Sequence, residues 1–296
     1  MLPISYRIKR KLVLTFYDLI RSFVSSHQEL ADFTLLFFSN TVGPPSSISD
    51  IHSSLALLAP VDNGHPLVLV GDGFDGSYLL PDDEFISLQG IISPGVGAHS
   101  AFEQSFISEY STPVVGIDPT ITEIPKTFTQ PSCTYVNKFL ASSDSVSSVS
   151  VESLLNSYFP SACQASLLLQ LDIEGGEYLS LLSTPPHILE RFRIIAIEFH
   201  DLNNIASSNF LHSIFFPLIT KLSAIFDLVH FHPNNACPTW TLPSGSFFPT
   251  TIETTWHHKS RRLTSKPLTR ATHIHPMDIL NSPSMPMQVV DFNLFL

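Results

Sequence analysis

Acids and glycines recur in this chain wherever a short apolar run stops. The stops are Ser93-Pro94-Gly95-Val96-Gly97, then Asp118, then Asp144, then Asp172 with Glu174, then Glu198 with His200. Gly95 and Gly97 let a backbone approach a ligand closely, and the N–H groups of a following helix lie just beyond. Asp118 stands 21 residues after Gly97. An acid about 20 residues after a glycine turn is placed to take both hydroxyls of a ribose. The third glycine of a dinucleotide fingerprint is missing, because Ala98-His99-Ser100 occupies its place. A pyrophosphate cradle is therefore incomplete, and a nucleoside without phosphate fits better. S-adenosyl-L-methionine is such a ligand. Any one of these acids could simply cap the next helix. Acids at successive run ends favour a shared ligand instead.

Glu198 and His200 alternate, so they share one side of an extended segment. His200 titrates near neutrality in its ordinary state and is the first candidate for a general base. Glu198 is a candidate to orient it or to hold an acceptor. His230 and His232 also alternate. With His200, Asp172 and Glu198 they offer a donor set for a divalent ion. Strand histidines are more often hydrogen-bonded structural groups, so no metal is expected. His257-His258 reads as a solvated pair.

These residues need elements to position them. Residues 48–59 read as a short helix, and Pro66 to Val70 as a strand entering the turn Gly71 to Tyr78. Asp72, Asp75 and Tyr78 in that turn read as a lid or a hairpin. Strands are expected over Phe85–Ile92, 113–117, 135–140, 165–171 and 194–197. Helices are expected over 98–110, 151–159, 176–183 and 207–224. Short apolar strands alternating with helices imply an α/β fold with a mostly parallel, doubly wound sheet. Two late strands, 228–232 and 250–256, have no helix between them and suggest an antiparallel pair at one edge. In such a sheet ligands bind outside the carboxyl ends of the strands.

Composition narrows the classes. The chain has 296 residues and a formal net charge of −11, with only 14% charged and 44% hydrophobic residues. The acidic balance argues against a nucleic-acid partner held by phosphate neutralisation. Cys133, Cys163 and Cys237 are scattered, which argues against a disulfide scaffold or a cysteine zinc site. No run reaches the ~18 apolar residues of a spanning helix. Residues 4–24 suggest a helix with apolar and basic faces. It is expected to pack on the main domain, with peripheral membrane contact as the alternative. A signal peptide fits poorly, so a cytoplasmic location is expected.

The chain resembles the FkbM-like S-adenosylmethionine-dependent methyltransferases over roughly residues 66–281. The likeness is carried by Asp75-Gly76-Ser77-Tyr78, Ile92 to Gly97, Gly116-Ile117-Asp118-Pro119-Thr120, Val151 to Leu155 and the run Asp172-Ile173-Glu174-Gly175-Gly176-Glu177-Tyr178. Ile197 to His200, His230 to Asn235 and Ile252 to Thr255 extend it. Ser77 stands where the family often has glycine, and Ile92 where it often has an aromatic. The resemblance implies a Rossmann-like class I methyltransferase fold, a mostly parallel seven-stranded sheet with helices on both faces. It implies S-adenosyl-L-methionine as methyl donor and a hydroxyl of a sugar, glycan or small metabolite as acceptor. Ser93, Gly95 and Gly97 would lie under the methionine part and Asp118 would hold the ribose. Asp144 with Ser143 would meet the adenine, and Asp172 the donor's amino group or methyl. His200, Glu198 and Asp172 would serve catalysis, and Asn234-Asn235 would reach the acceptor. Expected boundaries are a helical extension at 1–65, a methyltransferase domain at 66–259 and a tail at 260–296, packed or mobile. The competing readings are a nicotinamide-dependent oxidoreductase and a non-catalytic ligand-binding relative.

Overall fold

The computed structural model describes residues 44–268 and 274–295. The basic helix expected at 4–24 lies outside the described residues, as does most of the 1–65 extension. Ile48–Ala56 forms helix α1, with the Ser47 hydroxyl accepting from the Asp50 N–H. A bridge strand, β1 (Val61–Asp62), follows. Then β2 (Leu67–Val70) and β3 (Tyr78–Pro81) pair as an antiparallel hairpin.

The central sheet has seven strands, built from β4 (Gly90–Pro94), β5 (Val114–Ile117), β6 (Cys133–Val136), β9 (Leu167–Leu171), β10 (Phe192–Phe199), β11 (Phe226–Pro233) and β14 (Ile252–His258). Two short strands, β7 (Phe139–Leu140) and β8 (Ser148–Val149), pair beside it. A small hairpin, β12 (Thr239–Thr241) with β13 (Phe247–Pro249), precedes β14. Lys266–Pro267, β15, pairs with β1. The sheet order is β11-β14-β10-β9-β4-β5-β6. It is parallel from β10 to β6, and β14 inserts antiparallel between β10 and β11. The chain steps from β4 out to β6, then returns to β9 and β10 on the other side. That reversal makes the gap beyond β4 and β9 the topological switch point.

The strands are apolar on both sides because both sides are covered. Ile92, Leu167, Leu169, Ile195 and Ile197 join one core with α3 (Val151–Tyr158), α4 (Glu177–Ser183), α5 (Pro186–Leu189) and the long helical stretch near residue 215. Their neighbours Ile91, Leu168, Ile194 and Ala196 join a second core with the β2–β3 hairpin and α2 (Ala101–Tyr110). No helix among the described residues is long and apolar enough to cross a membrane.

Several elements differ from those the sequence predicts. The strand expected from Phe85 begins only at Gly90, since Phe85–Ser87 is a 3-10 turn. The run 135–140 breaks at Asn137-Lys138, so its second half pairs with β8 instead of joining the main sheet. The helix expected over 207–224 is α6 (Ser208–Phe210), a π turn at Leu211–Phe215, and α7 (Phe216–Ile225). Pro217 has no N–H to continue the α ladder, and a widened turn absorbs the loss. Tyr78 is buried in the second core and belongs to no lid. His257 and His258 are buried, not solvated. Asn63 Nδ2 donates to His257 Nδ1 at 2.7 Å, so Nε2 carries the proton that it gives to Asp83 at 3.0 Å. Arg261 also pairs with Asp83 through both carboxylate oxygens.

Beneath the sheet, α2 contributes a buried carboxyl. Glu103 bonds the Ser93 hydroxyl, Ser93 reaches Gln170 Oε1 at 2.7 Å, and Gln170 Nε2 donates to the Tyr78 hydroxyl at 3.4 Å. Burial pushes Glu103 up to about 7, against the bond from Ser93. A carboxyl raised on folding favours the native state while it stays protonated. Stability is therefore lost as pH rises from the unfolded value near 4.5 to about 7. Glu103→Gln should keep the bond to Ser93 without that loss. Urea unfolding at pH 5 and pH 8 should show the variant escaping a penalty on the order of 2 to 3 kcal/mol that the parent suffers. Equal pH responses would contradict the assignment.

Candidate active site

Four strand ends, of β4, β5, β6 and β9, are tied level at the switch point. Gly95 N–H donates to the Ile117 carbonyl at 2.8 Å, Asp118 N–H to Val136 at 3.2 Å, and Asp172 N–H to Pro94 at 3.3 Å. The turn after β4 needs glycine. Gly95 has φ +83°, and a Cβ there would lie 1.6 Å from the Asp172 carbonyl oxygen. Gly97 has φ +60°, and a Cβ there would enter open space. Its N–H donates to Asp118 Oδ2 at 3.0 Å. Asp118 Oδ1 accepts from the Thr120 N–H at 2.8 Å and hydroxyl at 2.6 Å. The Tyr135 hydroxyl donates to the Asp118 carbonyl. Three bonds thus fix the carboxylate, and the Tyr135 bond fixes the backbone that carries it.

A cleft of about 410 Å³ opens over this corner. Gly95, Gly97, Asp118, Thr120, Asp172 and Glu174 bring its polar groups, and Ile117, Pro119, Phe139, Leu140 and Ile173 its apolar wall. Of the strand-end residues singled out in the sequence, Gly95, Gly97, Asp118, Asp172 and Glu174 line the cleft. Ser93 does not; it is buried between Glu103 and Gln170. Asp144 also lies outside the lining. Its Oδ1 accepts from the Ser150 N–H at 2.8 Å, and its Oδ2 accepts from the Ser153 hydroxyl. It braces the start of α3. The Ser143 carbonyl accepts from Ser148. Lys138, Phe139, Leu140 and Thr120 were missed as lining residues. Thr120 had a signal, being two residues after Asp118 in the quoted motif.

Beside the cleft sits a carboxylate-rich group. His200 Nδ1 bonds Glu177 Oε1 at 2.9 Å, and its Nε2 stands 3.7 Å from Asp172 Oδ1 and 3.6 Å from Glu174 Oε2. The Tyr178 hydroxyl donates to the His200 carbonyl. Glu177 Oε1 also accepts from the Ile173 N–H at 3.1 Å, which closes the Glu174-Gly175 turn. Glu174 and Gly175 both hold positive φ there, +54° and +101°. Glu177 was quoted in the motif without a role; its position as the first residue of α4 could not reveal a partner 23 residues away.

Burial works against charge on His200, but the Glu177 bond and the charges of Glu177, Glu198 and Asp172 outweigh it and push the ring up to about 9. That upward shift works against the general-base role expected of His200. Burial, aided by Glu177 and Glu174 and opposed by His200, pushes Asp172 up to about 6. Burial, then Asp172 and Glu253, hold Glu198 well above the carboxylate range. Asn234 Nδ2 donates to Glu198 Oε1 at 2.7 Å.

His230 and His232 do not join this group. His230 pairs with Asp278 at 2.8 Å and His232 with Glu253 at 3.1 Å. Asn235 instead anchors the tail, donating to the Ser282 and Met285 carbonyls at 2.8 and 2.9 Å. Asn281 in that tail donates to Asp75 at 3.0 Å and also to Glu253. Val290, Leu294 and Phe295 are buried in the first core.

No protein-family model matches the chain, and no curated protein matches it. Solved structures do. A Thermoplasma acidophilum protein designated 1320 is 10% identical, with a TM-score of 0.29, covering 59% of this chain and 82% of that one. A mutant of the 16S rRNA (adenine(1408)-N(1))-methyltransferase from Catenulisporales acidiphilia is 12% identical, with a TM-score of 0.28, covering 68% and 99%. The antibiotic-resistance methyltransferase Kmr is 14% identical, with a TM-score of 0.27, covering 65% and 100%.

The two glycines separate packing from strain. Gly97→Ala meets only an unfavourable φ and should cost about 1 kcal/mol. Gly95→Ala adds a collision with backbone and should cost at least about 2 kcal/mol more. Denaturant unfolding of both variants checks this; equal costs would contradict the close approach of the β4 turn to Asp172.

Proposed function

We propose that the chain is an S-adenosylmethionine-dependent O-methyltransferase whose acceptor is a hydroxyl of a sugar, glycan or small metabolite. The observation that carries the reading is the clamp of Gly97 N–H on Asp118 at the mouth of the switch-point cleft. A fixed carboxylate there suits two ribose hydroxyls. The apolar wall of Ile117, Pro119, Phe139 and Leu140 suits the flat face of a purine. Open space above Gly97 suits a methionine tail laid close to the backbone. The residues present therefore fit the donor.

When bound, the donor supplies an electrophilic methyl group on a sulfonium. The chain supplies alignment, which contributes several kcal/mol to such displacements. Asp118 and Thr120 hold the ribose end. Asp172 is the one expected catalytic residue that lines the cleft, so it is assigned to take the acceptor's hydroxyl proton. Glu198 and Asn234 brace one another behind it. His200, held by Glu177, is an electrostatic neighbour of Asp172 at 3.7 Å and is not assigned as the base. The net charge of −11 favours a small or neutral acceptor over nucleic acid.

Equilibrium dialysis with labelled S-adenosylmethionine tests the donor. Asp118→Ala should weaken binding at least about tenfold, the scale of one lost charge-assisted pair of hydrogen bonds. Asp144→Ala, away from the cleft, should leave it within about twofold. Undiminished binding by Asp118→Ala, or tighter binding of a nicotinamide dinucleotide, would overturn the reading.

A further inference from the structure

We propose that Asp172, Glu174 and His200 form a divalent-cation site beside the cleft. Their facing atoms are Oδ1, Oε2 and Nε2, and all three lie within 4.8 Å of one another. The separations from Nε2, 3.7 and 3.6 Å, are too long for hydrogen bonds. They are slightly wider than the about 3 Å between adjacent ligands around an ion bound at about 2.1 Å. Three donors thus point at one spot without satisfying one another.

Glu177 supplies the independent observation. Its side chain is 0% exposed. One oxygen holds His200 Nδ1, which fixes the ring with Nε2 directed at the two acids. A carboxylate behind a histidine is the usual support of a metal-binding imidazole. The other oxygen, Glu177 Oε2, is buried and has no hydrogen-bond partner. His200 is the positive neighbour of this carboxylate, so an ion that takes Nε2 would replace the ring's proton as the counter-charge facing Glu177, Asp172 and Glu174. The backbone contributes as well: the left-handed Glu174 and Gly175 swing the Glu174 carboxylate back toward His200.

The other candidate group, His65, Asp83 and His257, does not match this pattern. Arg261 already occupies Asp83, and His257 already donates to it. A positive partner is built in.

Two carboxylates and one imidazole suit Mn²⁺ or a similar borderline ion. Two or three remaining positions would be open to water or to an acceptor oxygen. Orienting the acceptor hydroxyl is a role that rests on the methyl-transfer reading; the ion's binding does not.

The full chain, stripped with chelator, is titrated with MnCl₂ while electron paramagnetic resonance reads free Mn²⁺. One saturable site is expected, with a nitrogen hyperfine coupling from His200 in pulsed spectra. Glu174→Gln should weaken Mn²⁺ at least about tenfold. That side chain is 87% exposed, so the variant should fold normally. His200→Gln should abolish the nitrogen coupling. No saturable binding, or binding unchanged in Glu174→Gln, would overturn the proposal. Donor dialysis in chelator runs in parallel. Mn²⁺ binding without donor binding would uphold the site and remove its role; donor binding without Mn²⁺ would overturn the site alone.

Discussion

The structure turns on a register. Pairing of β5 with β4 and of β4 with β9 brings three strand ends to one level, and backbone bonds from Gly95 and Asp172 lock them there. With the ends level, Asp118 reaches the Gly97 N–H and Asp172 faces the same cleft. A slip of one residue in either pairing would turn these acids to the opposite side of the sheet. The two apolar cores fix the register, because alternate residues of each strand must enter different cores.

Charge at the site follows from that crowding. Asp172, Glu174, Glu177 and Glu198 gather around the single imidazole of His200. In a buried setting so many acids cannot all ionise unopposed. The crowding pushes both Glu198 and His200 upward, each toward its protonated form. The arrangement suits a positively charged ligand, whether a sulfonium or a metal ion.

What the sequence revealed followed the range of the interaction. The glycine turn and Asp118 were legible because turn, strand and acid come in a fixed order along one βαβ unit. Asp144 was read as a ligand contact because a short acid after a strand looks the same whether it turns to the cleft or back to Ser150 and Ser153. Lys138, Phe139 and Leu140 were hidden because the break after β6 carries no proline or glycine. His257 was misread because its partners, Asn63 and Asp83, lie 194 and 174 residues away. The upward shift of His200 was hidden for the same reason: Glu177 and Asp172 surround it only in the folded chain.

A crystal structure of the full chain with S-adenosylhomocysteine tests the central claim most directly. The ribose hydroxyls should lie on Asp118, the adenine against Phe139 and Leu140, and the sulfur near Asp172. Density for the ligand anywhere else, or a cleft left empty at saturating ligand, would contradict it.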